Sequence, residues 1–152
     1  LDLHIHDTDF VQYLFGMPRA VFSRSVKGHL SAHDHIVTQY LYPDRKIVTA
    51  EGGWLMAPTY EFRASFHVAL EQATLLFDPA IQPGLRLLPM RGRAQAVPVK
   101  TADACQLEIA YFMNMIAGKK VPVITTAEQS CDSVRIVEAE IKSALSGKIV
   151  KI

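Results

Sequence analysis

The first ten residues, LDLHIHDTDF, place two histidines and three aspartates within one short stretch. Read as a strand, His4 and His6 point to one side and form the H-x-H pair that opens many metal-dependent barrel hydrolases. Read as a helix, Asp2 and His6 stand four residues apart and share a face. A carboxylate beside an imidazole fixes its tautomer and steadies its charged form, so that the imidazole can take or give a proton near neutral pH. The first reading asks for a metal and the second for proton transfer without one.

The elements around these residues favour the helix. Leu3, Phe10, Val11 and Leu14 recur at helical spacing, and Gly16 followed by Pro18 is a C-terminal stop, so a helix is predicted from Asp2 to Phe15. Asp2, Asp7 and Asp9 suit the positive end of its dipole. The middle of the chain reads as β-structure. AVFSRSV (Ala20 to Val26) is a strand, and HIVTQYLY (His35 to Tyr42) and KIVTAEGGWL (Lys46 to Leu55) flank a hairpin turn at Pro43-Asp44-Arg45. EFRASFHVAL (Glu61 to Leu70) alternates, with Phe62, Ala64, Phe66, Val68 and Leu70 on one face and Arg63, Ser65 and His67 on the other. ATLLFDP and LRLLPM add two shorter strands. The rear is helical. One helix runs from Ala102 to Ala117 with a broad apolar stripe that includes Met113 and Met115, read as core. A second runs from Thr126 to Ser146 with the stripe Cys131, Val134, Val137, Ile141 and Leu145. This order predicts an α+β fold, an open and largely antiparallel sheet of five to six strands with helices packed on one face.

With 152 residues, 49% of them hydrophobic and 20% charged, the chain can bury the core of one ordinary domain. A net charge of +1 without any Lys/Arg stripe gives no footprint for nucleic acid or an anionic membrane. No apolar run is long enough for a membrane span, and no signal-peptide pattern opens the chain. Cys105 and Cys131 read as free, buried thiols, which suits the cytoplasm. The chain starts at Leu1, without Met, inside an already periodic segment, and is expected to be the rear half of something longer.

A metal site has other candidate donors in His33-Asp34-His35, with His29 and His67 as recruits. A barrel hydrolase needs about 250 residues in βα alternation, which this order of elements lacks. A cupin-like site wants a Glu where Gln39 stands, and an amide is a poor ligand for a divalent ion. His29, His33 and His35 therefore read first as solvated loop residues, and no metal is expected.

Nearly the whole chain resembles the C-terminal domain of the Gfo/Idh/MocA oxidoreductases, relatives of glucose–fructose oxidoreductase and inositol dehydrogenase. The family's segment like D-x-G-x-H-D-x-D, followed by G-x-P-x-x-V, stands here as Asp2-Leu3-His4-Ile5-His6-Asp7-Thr8-Asp9 and Gly16-Met17-Pro18-Arg19-Ala20-Val21. The likeness continues through Glu51-Gly52-Gly53-Trp54, through Glu71-Gln72-Ala73-Thr74-Leu75, which is similar to E-x-G-T-L, and through Leu107-Glu108-Ile109-Ala110-Tyr111-Phe112. The resemblance implies a dihydrodipicolinate-reductase-like C-terminal domain that binds substrate and forms oligomers through its sheet. It also implies a front Rossmann domain that carries NAD or NADP and a Glu-Lys-Pro lysine. No G-x-G-x-x-G and no Glu-Lys-Pro occurs here. Asp2 and His6 match the family's catalytic pair. His6 would accept the proton of a substrate hydroxyl as hydride leaves the same carbon for the nicotinamide, and Asp2 would orient it.

The implied substrate is a sugar, cyclitol or related polyol, and residues 1–152 by themselves are expected to be inactive. His4 stands where the family usually has a small residue, so it either joins the polar wall of the pocket or packs outward. Arg63 and His67 are candidate substrate contacts, with a subunit interface as the alternative. Trp54 reads as a core plug before a sugar-stacking platform. Two competing functions remain: a non-catalytic binding or assembly domain on the same fold, and a small metal-dependent enzyme using His4, His6, His33 and His35.

Overall fold

A computed structural model describes residues 2–29, 33–99 and 103–152. Its elements are α1 (His4–Phe15), β1 (Ala20–Val26), β2 (His35–Leu41), β3 (Val48–Gly53), β4 (Phe66–Ala69), β5 (Ala73–Phe77), β6 (Leu85–Pro89), β7 (Gln95–Ala96), α2 (Ala104–Ile116), α3 (Ala127–Ser146) and β8 (Val150–Lys151). The fold is α+β and every strand pair is antiparallel, as the alternating segments and short turns imply. The strands divide between two four-stranded sheets, in the orders β3-β2-β1-β8 and β4-β5-β6-β7. The two-residue strands β7 and β8 were too short to show any periodicity.

The chain forms two units, Leu1–Ala57 with Val123–Ile152, and Pro58–Pro122. In the first, α1 and α3 cover one face of the sheet. Tyr40 lies opposite Val21 and Val48, Thr38 opposite Ser23 and Ala50, and Ile36 opposite Ser25 and Gly52. This row faces the helices. Val11, Val21, Tyr40, Val48, Ile136 and Ala139 form its apolar core, with Phe15, Tyr42, Ala50 and Val150 at the margin. Fully burying a side chain such as Ile136 contributes roughly 1.5–3 kcal/mol.

The buried side of α3 differs from the predicted stripe. It carries Ser133, Ile136, Val137, Ala139, Glu140 and Ser143, while Cys131, Val134 and Leu145 are exposed. The true stripe is rotated by about one residue, roughly 100°. Hydrogen bonds account for the rotation. The Ser133 hydroxyl lies 2.7 Å from Asp9 Oδ1 and 2.8 Å from Gln12 Oε1. Ser143 Oγ accepts from the Ser23 amide at 2.9 Å and donates to the Lys148 carbonyl at 2.6 Å. Short polar side chains thus bring the α3 backbone close to α1 and β1. The helix begins with a capping box between Thr126 and Gln129 and ends on Gly147 in the left-handed region.

In the second unit, β4 covers only Phe66–Ala69 of the alternating stretch from Glu61 to Leu70. Its partner ladder ends where Phe66 faces Phe77, and the chain then turns at Asp78, whose amide donates to the Gly84 carbonyl. Among the described residues, no strand lies opposite the residues before Phe66. Phe66 and Phe77 stack at 5.5 Å. α2 is capped by Asp103, which accepts from the Gln106 amide. The predicted start of this helix, Ala102, lies outside the described residues. No residue of α2 is buried, so Met113 and Met115 are exposed rather than core. No other described element packs extensively along it. No described helix is long and apolar enough to cross a membrane.

Candidate functional site

The opening stretch is helical. Asp2 lies in the turn before α1, and Leu3 already has helical dihedrals (φ −76°, ψ −46°). The helix stops at Gly16, whose φ of 73° favours glycine and whose amide donates to the Gln12 carbonyl. His4 and His6, two positions apart on a helix, face opposite ways. His6 and Asp2 are exposed, whereas His4 is only 1% exposed. Asp2 and His6 make no hydrogen bond to each other among the described residues. The exposed turn therefore presents a carboxylate and an imidazole that are free to meet a third group.

His4 packs inward. Its Nδ1 lies 3.2 Å from Asp7 Oδ2, and its Nε2 forms a 3.6 Å ion pair with Glu140 Oε2. Glu140, fully buried on α3, accepts a 3.1 Å hydrogen bond from the Thr8 hydroxyl through its other oxygen. With Thr8 donating to Glu140, the Tyr40 hydroxyl donates to Thr8 at 3.1 Å. A chain Asp7–His4–Glu140–Thr8–Tyr40 runs from the surface into the core. Burial works against a charged imidazole, but the carboxylates of Asp7 and Glu140 outweigh it and raise the His4 pKa to about 9. His4 is therefore an imidazolium at neutral pH, with Nδ1 bonded to Asp7 and Nε2 facing Glu140 at ion-pair distance without a hydrogen bond. Burial, with Glu140 next, holds the Tyr40 phenol protonated far above its usual range.

Glu140 and Tyr40 carry no site role in the sequence, and Asp7 and Thr8 enter there only as members of the opening motif. A signal existed in Glu140, a charged residue on the phase of Ile136, Val137 and Ser143, and in His4, on the phase of Thr8 and Val11. Charged residues on a buried stripe require partners, and two helices each carrying one such residue suggest a pair.

The remaining candidates lie elsewhere. Arg63, in an irregular segment, and His67, on β4 opposite Leu76, are both exposed in the second unit. In the first unit, His33 bonds Ser25 Oγ at 2.6 Å, His35 Nε2 bonds Glu51 Oε1 at 2.9 Å, and His29 is exposed. Both β2-side histidines are thus engaged in side-chain bonds rather than simply solvated. Among the described residues no three His, Cys, Asp or Glu side chains come together as metal ligands. Trp54 is 54% exposed, so it does not plug the core; its amide donates to the Asp34 carbonyl. Cys105 and Cys131 are free, as expected, but exposed.

The profile of the GFO/IDH/MocA C-terminal domain matches residues 1–76, half of the chain. No protein of curated function matches by sequence. Among solved structures, the chain is similar to WlbA dehydrogenase from Bordetella pertussis in complex with NADH and UDP-GlcNAcA, at TM-score 0.73 and 14% identity, over 98% of this chain and 43% of that one. It is similar to the UDP-N-acetylglucosamine 3-dehydrogenase GnnA from Acidithiobacillus ferrooxidans, at 0.71 and 20% identity, over 95% and 45%. It is also similar to a levoglucosan dehydrogenase in complex with NADH and levoglucosan, at 0.75 and 16% identity, over 99% and 49%. The chain spans about half the length of these structures. The profile match and the shared fold together place this chain in the GFO/IDH/MocA family, as a C-terminal domain of its oxidoreductases.

Proposed function

We propose that these residues are the substrate-binding and oligomerisation part of an NAD- or NADP-dependent dehydrogenase acting on a sugar, cyclitol or related polyol. The observation that carries the reading is the exposed turn of α1, on which Asp2 and His6 stand one helical turn apart in a chain of this family. Similar structures hold NADH with a nucleotide sugar or with levoglucosan. His6 would accept the proton of the substrate hydroxyl, and Asp2 would orient the ring and balance its charge. Arg63 and His67, exposed in the second unit, are candidates for a polar contact of that unit. His4, enclosed by carboxylates, would support this site from beneath rather than touch the substrate.

The nicotinamide cofactor supplies a hydride acceptor when bound. Every strand pairing among the described residues is antiparallel, whereas a dinucleotide cradle needs a parallel βαβ unit with a Gly-rich turn. The described residues do not build that cradle, which supports a reading in which a Rossmann domain outside them would hold the cofactor. The free thiols Cys105 and Cys131 support a cytoplasmic location.

The test is a fluorescence titration of the complete polypeptide with NADH and NADPH, followed by polyol oxidation assays of wild type and His6→Ala. Saturable cofactor binding, with turnover that collapses in His6→Ala, is the expected result. Absence of cofactor binding overturns the reading.

A further inference from the structure

Beneath the exposed turn lies a charged cluster that the proposed chemistry does not use. His4 has carboxylates on both ring nitrogens, Asp7 at 3.2 Å and Glu140 at 3.6 Å. Glu140 is wholly buried, and an uncompensated buried charge is strongly unfavourable, so the pair must stay together while the fold persists. Asp7 belongs to α1 itself, whereas Glu140 belongs to α3 and also holds Thr8, one turn further along α1. The same carboxylate thus grips two successive turns of α1 from across the helix interface. From β3, Gly52 closes the cage, since a Cβ there would meet Asp7 Oδ2 at 2.5 Å and His4 Nδ1 at 3.1 Å. From β2, Tyr40 reaches it through Thr8. His4 lies between Asp2 and His6 in sequence, so whatever holds its ring holds the backbone that carries both.

We propose that the buried His4–Glu140 ion pair, braced by Asp7 and Thr8, is a positioning device that sets the first turn of α1 and thereby the exposed Asp2 and His6. Both are positioning residues, because neither reaches the surface where substrate would sit. The proposal deepens the dehydrogenase reading and rests on it for its catalytic consequence. Its mechanical content, that Glu140 orders the first turn of α1, stands without that reading.

The experiment uses the complete polypeptide and Glu140→Gln, which keeps size and the Thr8 hydrogen bond but removes the charge. Amide hydrogen exchange at residues 6–8 is compared with the interior of α3, and polyol oxidation is measured in parallel. The expected result is exchange at residues 6–8 faster by about tenfold or more relative to α3, with kcat reduced by at least a similar factor and affinity for NADH unchanged. Unchanged exchange at residues 6–8 overturns the proposal whatever the kinetics do. Equal acceleration in α3 also overturns it, because it marks general destabilisation. If Glu140→Gln does not fold, Asp7→Asn, altered on the solvent side of the same ring, takes its place under the same criteria. Wild-type protein without turnover on any polyol removes the dehydrogenase reading, and the exchange data alone then decide the positioning proposal.

Discussion

At the scale of single residues, two histidines two positions apart have opposite fates. His6 is exposed, so His6→Ala is expected to leave the melting temperature almost unchanged; with His6 as the proposed general base, kcat should fall by roughly 10²–10⁴. His4 is held charged inside the fold. Its pKa rises from 6.5 to about 9, so its stabilising contribution is fully present below pH 6.5 and is lost as pH climbs through 9. The shift corresponds to about 3 kcal/mol. Thermal unfolding measured from pH 6 to 10 should therefore show a fall in stability across that window, and His4→Gln should flatten it. Paired glycines at the end of β3 add a graded test. A Cβ at Gly53 would meet the backbone of Asp34 and His35 at 2.5 and 2.6 Å, whereas at Gly52 its shortest contact is the movable end of Asp7. Denaturant unfolding should find Gly53→Ala more damaging than Gly52→Ala.

At the scale of elements, α3 separates apolar character from burial. Leu145 is 73% exposed, while Ser143 is buried and links the Ser23 amide to the Lys148 carbonyl. Ser143→Ala should cost about 1–3 kcal/mol by stranding a buried amide, and Leu145→Ala less than about 0.5 kcal/mol. Urea denaturation of the two variants decides this, and the reverse order would contradict the described face of α3. The positions of β1, β2, β3, β5 and β6 were legible in the sequence because alternation and turn residues are local signals, although β3 spans only Val48–Gly53 of the predicted Lys46 to Leu55. The stretch from Glu61 to Ser65 alternates equally well and is not a strand, because β5 ends before it can supply a partner. A ladder needs two strands, and periodicity reports on only one.

At the scale of the whole molecule, the sheet of β1, β2, β3 and β8 has an outer face opposite α1 and α3. Its centre is Val37, 44% exposed, beside Arg24 and Glu51. If this face joins subunits, as proposed, Val37→Glu should shift the complete polypeptide toward monomer in analytical ultracentrifugation with its circular dichroism intact. A wild type that sediments as a monomer would remove the oligomer proposal. By itself the sequence determined the α+β class, the antiparallel hairpins and the helical nature of the stretch from His4, because each is written in short-range spacing, and the likeness to the family through motifs in order along the chain. Only the tertiary structure decided that the strands fall into two sheets, that α3 turns a polar side inward, and that His4 meets Glu140. Those outcomes join residues more than a hundred positions apart. They depend on which buried charges and hydrogen-bonding groups can satisfy one another once the helices lie on the sheet.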